Sequence, residues 1–312
     1  MGQRTTGRAF TNTLLLAAVV AAPGIAQHRG QYMSGLSATN SGVQPDTGFT
    51  YANIFYYSSS DRLKGLDGGP IPIDGQFTII ADLSTFVYVY KPKILGGNLE
   101  SIAAIPIANA SLAADVFQAG KPIQGGGGGL ANTYFVPVQI GWHLKRVDLQ
   151  TGYVFFAPTG RYEPGATNNT GTGYWTNGTQ TGATIYLTKN KGTTLNVFDM
   201  YAWNTQQKGT GLTYGQNNSL DYSLLQVIPL AKDQRWLFQT GVVGYGQWQT
   251  SNSSRTSQAL ANTRWGVNAL GFAANLIVPG RKVVLGANTF WEMGAYNTRE
   301  GHVVMISGAF TF

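Results

Sequence analysis

Apolar and polar residues alternate along most of this chain, and the alternation breaks at regular places. In TYFVPVQIGWHLK (133–145), Tyr134, Val136, Val138, Ile140, Trp142 and Leu144 share one face, opposite Thr133, Phe135, Pro137, Gln139, Gly141, His143 and Lys145. Successive side chains of a strand point to opposite faces, so this pattern predicts strands. Short turn-like breaks at 91–97, 144–148, 188–192, 229–235 and 278–282 alternate with longer polar or glycine-rich stretches near 58–76, 107–130, 158–173, 205–217, 250–262 and 294–301. Between them lie twelve segments, at 46–57, 77–90, 95–106, 131–144, 147–157, 174–188, 193–204, 218–229, 235–249, 263–277, 282–293 and 302–312. An even number of strands, about ten residues or more each, with short turns on one side and long loops on the other, describes an all-β transmembrane antiparallel barrel. The short turns are expected on the periplasmic side and the longer loops outside the cell. Pro137 interrupts the pattern, because proline removes a ladder hydrogen bond and a closed barrel has no free edge; a bulge, or lumen water on the freed carbonyl, is expected there.

The two ends of the chain agree with this class. Arg4 and Arg8 precede the apolar stretch Leu14 to Ala22, and small residues lead to Gln27. This is the pattern of a signal peptide at 1–26, too short in its apolar run for a bilayer-spanning helix. The expected organisation is therefore 1–26 signal peptide, 27–45 a short periplasmic N-terminal segment, and 46–312 an outer-membrane barrel of a Gram-negative bacterium. The last strand alternates to its final residue: His302, Val304, Ile306, Gly308, Phe310 and Phe312 share a face.

Composition excludes several function classes. Hydrophobic residues make up 43% and charged residues only 11%, a poor surface for a soluble secreted protein but a suitable one for a barrel whose outer face meets lipid and lipopolysaccharide. Cysteine is absent and the three histidines are far apart, so no metal cluster, disulfide framework or cofactor is expected. The net charge of +7 falls with loss of Arg4 and Arg8 and is spread without a basic stripe, which sets nucleic acid aside. The GGGGG run at 125–129 lacks the ending and the following helix of a phosphate loop and reads as flexible outer loop.

Polar positions within barrel strands mark the lumen. Asp82, Gln139, His143, Asp148, Gln150, Arg264, Asn288 and Glu292 are the candidates, with Phe86, Tyr88 and Phe156 in the same inward phase; Asp199 fits no clean phase. The loop APTGRYEPG (157–165) offers Arg161, Tyr162 and Glu163 on a backbone stiffened by glycine and proline, either as an inward-folded constriction or as a rigid turn held by Arg161 and Glu163. For each lumen residue the alternative is a structural ion pair or hydrogen bond that fills a narrow barrel.

The stretches YVFFAPTGRYEPG (153–165), GYWT (173–176), VGYGQWQ (243–249) and WEMGAYNTREG (291–301) resemble the outer-membrane family labelled "putative MetA-pathway of phenol degradation". The resemblance is strongest over the last 175 residues or so, and it is weaker from Gln27 to Leu130. It implies a barrel related in spirit to channels for hydrophobic compounds such as the long-chain fatty-acid transporter, although Gln27 to Gln44 looks too short to form a comparable plug. Phe310 and Phe312 resemble the terminal signal read by the barrel-assembly machinery. The expected function is passive uptake of small hydrophobic or aromatic solutes, with no catalysis. The alternatives are a structural or adhesion barrel with a plugged lumen, or a hydrolase built on Ser59 and His302, which closure would bring side by side without a Gly-x-Ser-x-Gly elbow.

Overall fold

The computed structural model describes residues 29–71, 75–118, 121–254 and 263–312. Thirteen strands follow in order: β1 (Gly48–Leu63), β2 (Gly75–Ile94), β3 (Gly97–Gln118), β4 (Lys121–Leu130), β5 (Thr133–His143), β6 (Val147–Ala157), β7 (Thr176–Tyr186), β8 (Thr193–Asn204), β9 (Asn217–Pro229), β10 (Leu237–Gln249), β11 (Gly266–Val278), β12 (Val283–Tyr296) and β13 (Arg299–Thr311). Every pairing is antiparallel. β13 meets β1 from Thr50↔Thr311 to Leu63↔Arg299, and β2 meets β3, so twelve strands close into a barrel. Among the described residues no helix is long and apolar enough to cross a membrane; strands make the crossing.

The thirteenth strand corrects the reading of the glycine run as a flexible loop. β4 pairs with the upper part of β3, from Ile107↔Leu130 to Gln118↔Lys121, while β5 takes the lower part, from Asn98↔Gly141 to Ala104↔Tyr134. The glycines allow close approach to the 158–175 connection: a Cβ on Gly127 would lie 2.4 Å from the Asn168 carbonyl oxygen. The long connection expected at 294–301 shrinks to Asn297 and Thr298, because β12 and β13 run on through it and turn at Asn297, whose φ is 49°.

The outer surface is apolar where lipid touches it: Val242, Leu270, Phe272 and Ile306 are all exposed. Aromatic rings cluster at the end of the barrel where the last strand meets the first: Phe49 lies against Phe86 and Phe312, and Phe310 meets Phe312 edge-on. Phe312 also ties the last strand to the first by donating its N–H to the Phe49 carbonyl, at 2.9 Å.

Facing follows expectation in β6 and β12, where Asp148, Gln150, Asn288 and Glu292 turn inward. It is reversed in β2. Phe77, Ala81, Leu83, Val87 and Val89 are buried inside, whereas Asp82, Phe86 and Tyr88 point to the lipid side. Both faces of this strand are largely apolar, so its single acid misled the phase; outside, Asp82 accepts a hydrogen bond from Asn53 at 2.9 Å. In β5 the register slips between Phe135 and Val138. This is the bulge expected at Pro137, and it switches the phase: Tyr134 and Val136 face inward, Val138 outward, Gln139 inward again.

Candidate functional site: the lumen and its N-terminal plug

Residues 29 to 44 lie inside the barrel rather than outside it in the periplasm, and they fill its lower lumen as a plug. Extended chain gains about 3.3 Å per residue, so the segment can reach about 50 Å, more than the ~25 Å apolar band of such a barrel. At its upper end the Arg29 guanidinium grips both oxygens of Glu292, with Nη2 to Oε2 at 3.0 Å, and also donates to the Arg299 carbonyl. Glu292 accepts further hydrogen bonds from the Tyr245 hydroxyl at 2.7 Å and the Gly301 N–H at 2.8 Å. Two desolvated charges repay their burial only when such extra bonds complete the pair.

Midway, Asp221 of β9 organises the turn of the plug. The Tyr32 hydroxyl donates to it at 2.6 Å, the Gly35 N–H at 2.9 Å and the Ser37 N–H at 3.1 Å. Lower down, the Gly42 N–H donates to Thr184 at 3.0 Å, and Gln150 donates to the Ser41 carbonyl at 2.8 Å. A Cβ on Gly182 would sit 1.8 Å from that same carbonyl oxygen, so only glycine lets the plug pass here. Irregular backbone cannot pair with itself, and inside a barrel its N–H and C=O groups need partners from the wall.

Those partners come from an amide-rich wall over β5 to β8. Tyr134 donates to Gln180 at 2.5 Å, Gln180 to Gln139 at 2.6 Å, and Gln139 to both Glu100 and Gln150 at 3.0 Å. The opposite wall is apolar, with Val243, Val267, Phe290, Val303 and Met305 packed together and Met33, Leu36 and Ala38 of the plug against them.

Above the plug a cavity of about 160 Å³ remains. Ile79, Pro106, Ala108 and Phe156 give it an apolar side; Ser58, Asn132 and Gln247 give it polar groups; Arg29 and Arg299 give it charge. An apolar cavity of about 150 Å³ can hold benzene, so there is room for a solute built on about one ring.

The expected residues divide between several places. Gln139, Asp148, Gln150, Asn288 and Glu292 reach the lumen wall, though Gln139 is fully buried rather than in open water. His143 stands half-exposed at the periplasmic mouth beside Asp148, at 3.3 Å. Arg264 is not in the lumen: it is exposed and donates to Asn252 at 2.9 Å, because β11 begins only at Gly266. Among the described residues Arg161 and Glu163 do not pair with each other, and neither they nor Tyr162 line the cavity. Arg161 donates to the Asn168 carbonyl, Asn169 bridges back to Glu163, and it is Asn169, Thr170 and Thr172 from the later half of this connection that line the cavity. Tyr162 covers Gly173, where a Cβ would meet its ring at 2.2 Å, and burial pushes its hydroxyl pKa up. Ser59 and His302 do face each other across β1 and β13. Each has another partner: Gln76 donates to the Ser59 hydroxyl at 3.0 Å, and His302 Nε2 bonds to the Thr289 hydroxyl at 2.7 Å. Asp199 turns outward and accepts from Asn218 at 2.8 Å.

Sequence reasoning missed Asp221, Glu100 and the plug itself. Asp221 was findable, since in NSLDYSLLQV it alternates with Leu220 and Tyr222 in phase with Ser219 and Ser223.

The family model described as "Putative MetA-pathway of phenol degradation" matches residues 60–307. The chain belongs to this family. The match reaches well upstream of the 153–165 motif, so β2 to β5 share the family pattern although their own motifs are less telling. Among solved structures, this MetA-pathway barrel is similar to the COG4313 outer membrane channel from Pseudomonas putida F1, at 13% identity and a TM-score of 0.73, over 88% of this chain and 98% of that one. The β domain of the Bordetella autotransporter BrkA superposes less well, at 12% identity and a TM-score of 0.49 over 86% and 100% of the two chains. No curated protein sequence matches significantly. Closed barrel, apolar outer wall and family together place the chain in the outer membrane of a Gram-negative cell.

Proposed function

We propose that this barrel is a passive channel that admits small hydrophobic molecules, aromatic ones included. The observation that carries the reading is the cavity above the plug, apolar on one side and polar on the other, and sized for about one ring. A wide porin would need rings of charge around a water column, and here the lower lumen is filled by the plug and the amide wall instead. The similarity to a barrel described as an outer membrane channel adds support. Passage beyond the cavity requires the plug to shift, and its tightest anchor is Arg29 on Glu292.

Glu292→Ala should therefore weaken plug seating by about 3–5 kcal/mol, the usual cost of stranding one partner of a buried ion pair. Bilayer conductance should rise in the variant, and cells that make the wild-type protein should take up labelled toluene at low concentration faster than cells lacking it. A second reading, a sealed structural barrel, draws on the same buried anchors. Equal uptake with and without the protein, and no conductance from either form, would favour it over the channel.

A further inference from the structure

The charges around the cavity do not balance. Among the described residues that line it, two are charged, and both are arginines. Arg29 is matched by Glu292. Glu300 is taken by Arg62 at 3.2 Å and Lys64 at 3.8 Å, and it also accepts from the Ala295 N–H. Arg299 is left over. Among the described residues it forms no ion pair within 4 Å, although it shares the field of Glu292, and its Nε is buried without a hydrogen-bond partner; its face lies 4.1 Å from the Phe77 ring centroid. Stacking on a ring fixes the plane of a guanidinium and leaves its N–H edge unused. Ser34, on the plug side of the same cavity, also has a buried hydroxyl without a partner.

Stranded buried donors are costly, and in native structures they mark a group that something else completes. The missing element is an acceptor with negative charge, of a size to sit beside one guanidinium. A planar carboxylate matches the paired N–H groups of arginine better than a hydroxyl or an ether does. The cavity's other side, Ile79, Pro106, Ala108 and Phe156, offers nothing to a second charge and accommodates a ring or short alkyl body.

We propose that the cavity is a recognition site for amphipathic monocarboxylates of about one ring in size, with the carboxylate on Arg299 and the apolar body against the β2–β3 side. This rests on the channel reading and narrows its substrate class from hydrophobic solutes in general to hydrophobic acids. Arg29 contributes field but is neutralised by Glu292, so Arg299 is the residue that distinguishes an acid from a neutral molecule of the same shape.

The test compares benzoate with benzyl alcohol on the refolded full chain in detergent micelles, by calorimetric titration near pH 7. Benzoate should bind at least tenfold more tightly, and its advantage should shrink with added salt. Arg299→Gln should remove the preference while benzyl alcohol affinity stays within twofold, and Arg299→Lys should retain part of it. Heat-modifiable gel mobility reports whether each variant folds, and the wild-type comparison and salt series need no variant. Equal affinities in the wild type, a preference for the alcohol, or a preference that survives Arg299→Gln would overturn the proposal. Loss of the acid preference alone leaves the channel reading intact, since toluene uptake tests that separately. If neither probe binds, the recognition site is overturned, and the channel reading still stands or falls on toluene uptake.

Discussion

The two walls of the lumen handle the same plug by opposite means. On the apolar wall Phe290 and Val303 are fully buried, and they pack with Ala38 while Met33 and Leu36 lie against them. On the amide wall and its continuation, Gln150, Thr184, Ser223 and Gln239 reach plug atoms between Ala38 and Gly42, and most of these bonds go to backbone. An irregular segment in an enclosed space has two separate requirements, removal of its apolar side chains from water and partners for its peptide groups. Here one wall meets each. Packing on the apolar wall depends on shape, and hydrogen bonding on the amide wall depends on placing donors and acceptors in register with a backbone that has no repeat.

Substitutions on the two walls should therefore differ in size and in kind. The largest effect is expected from Phe290→Ala, which empties a fully buried aromatic site on the apolar wall and should cost about 3–5 kcal/mol in denaturant unfolding of the refolded barrel. A loss below 1 kcal/mol would mean that plug and wall are not packed as a core. Gln139→Ala should cost less, about 1–3 kcal/mol, because it strands Glu100 and Gln180 rather than opening a large void. An arginine at Gln139 should also destabilise the barrel, because the site is sealed from water. Smallest should be Asn40→Ala, which removes a reciprocal pair of amide bonds to Gln239 at 3.2 and 3.0 Å but leaves Gln239 its bond from Asn275, and it should cost about 0.5–1.5 kcal/mol in all. Its readout is protease cleavage within the plug, which should quicken while the barrel keeps its heat-modifiable mobility. If Asn40→Ala proved costlier than Phe290→Ala, hydrogen bonding rather than packing would seat the plug.

Strand positions were legible because lipid imposes a strict rule on one face. Ile306, Gly308 and Phe310 can be read directly from GHVVMISGAFTF, and in β12 Leu285, Ala287 and Trp291 alternate with Asn288 and Glu292. The rule weakens where the inward face is also apolar. In β2 both faces satisfy it, so Asp82 was placed inside although it sits outside beside Asn53. In β5 a single bulge at Pro137 reversed the phase for half the strand, and a bulge can be suspected from proline but its effect on facing cannot be counted from sequence.

The sequence by itself determined the twelve-stranded wall and the closing strand with its aromatic end, because each depends on local alternation and on the ~2-residue period of extended chain. The plug, the Arg29–Glu292 anchor and the stacking of Arg299 on Phe77 were decided only by the tertiary structure. Arg29 lies 263 residues from Glu292 in the chain, in a segment with no periodicity to read, and what joins them is barrel closure, which brings β12 and β13 around a space that an irregular strand of charge and glycine happens to fill. A charge inside such a space acquires meaning from its neighbours, and the neighbours of Arg299 are fixed by register across β1, β2 and β13 rather than by anything adjacent to it in sequence.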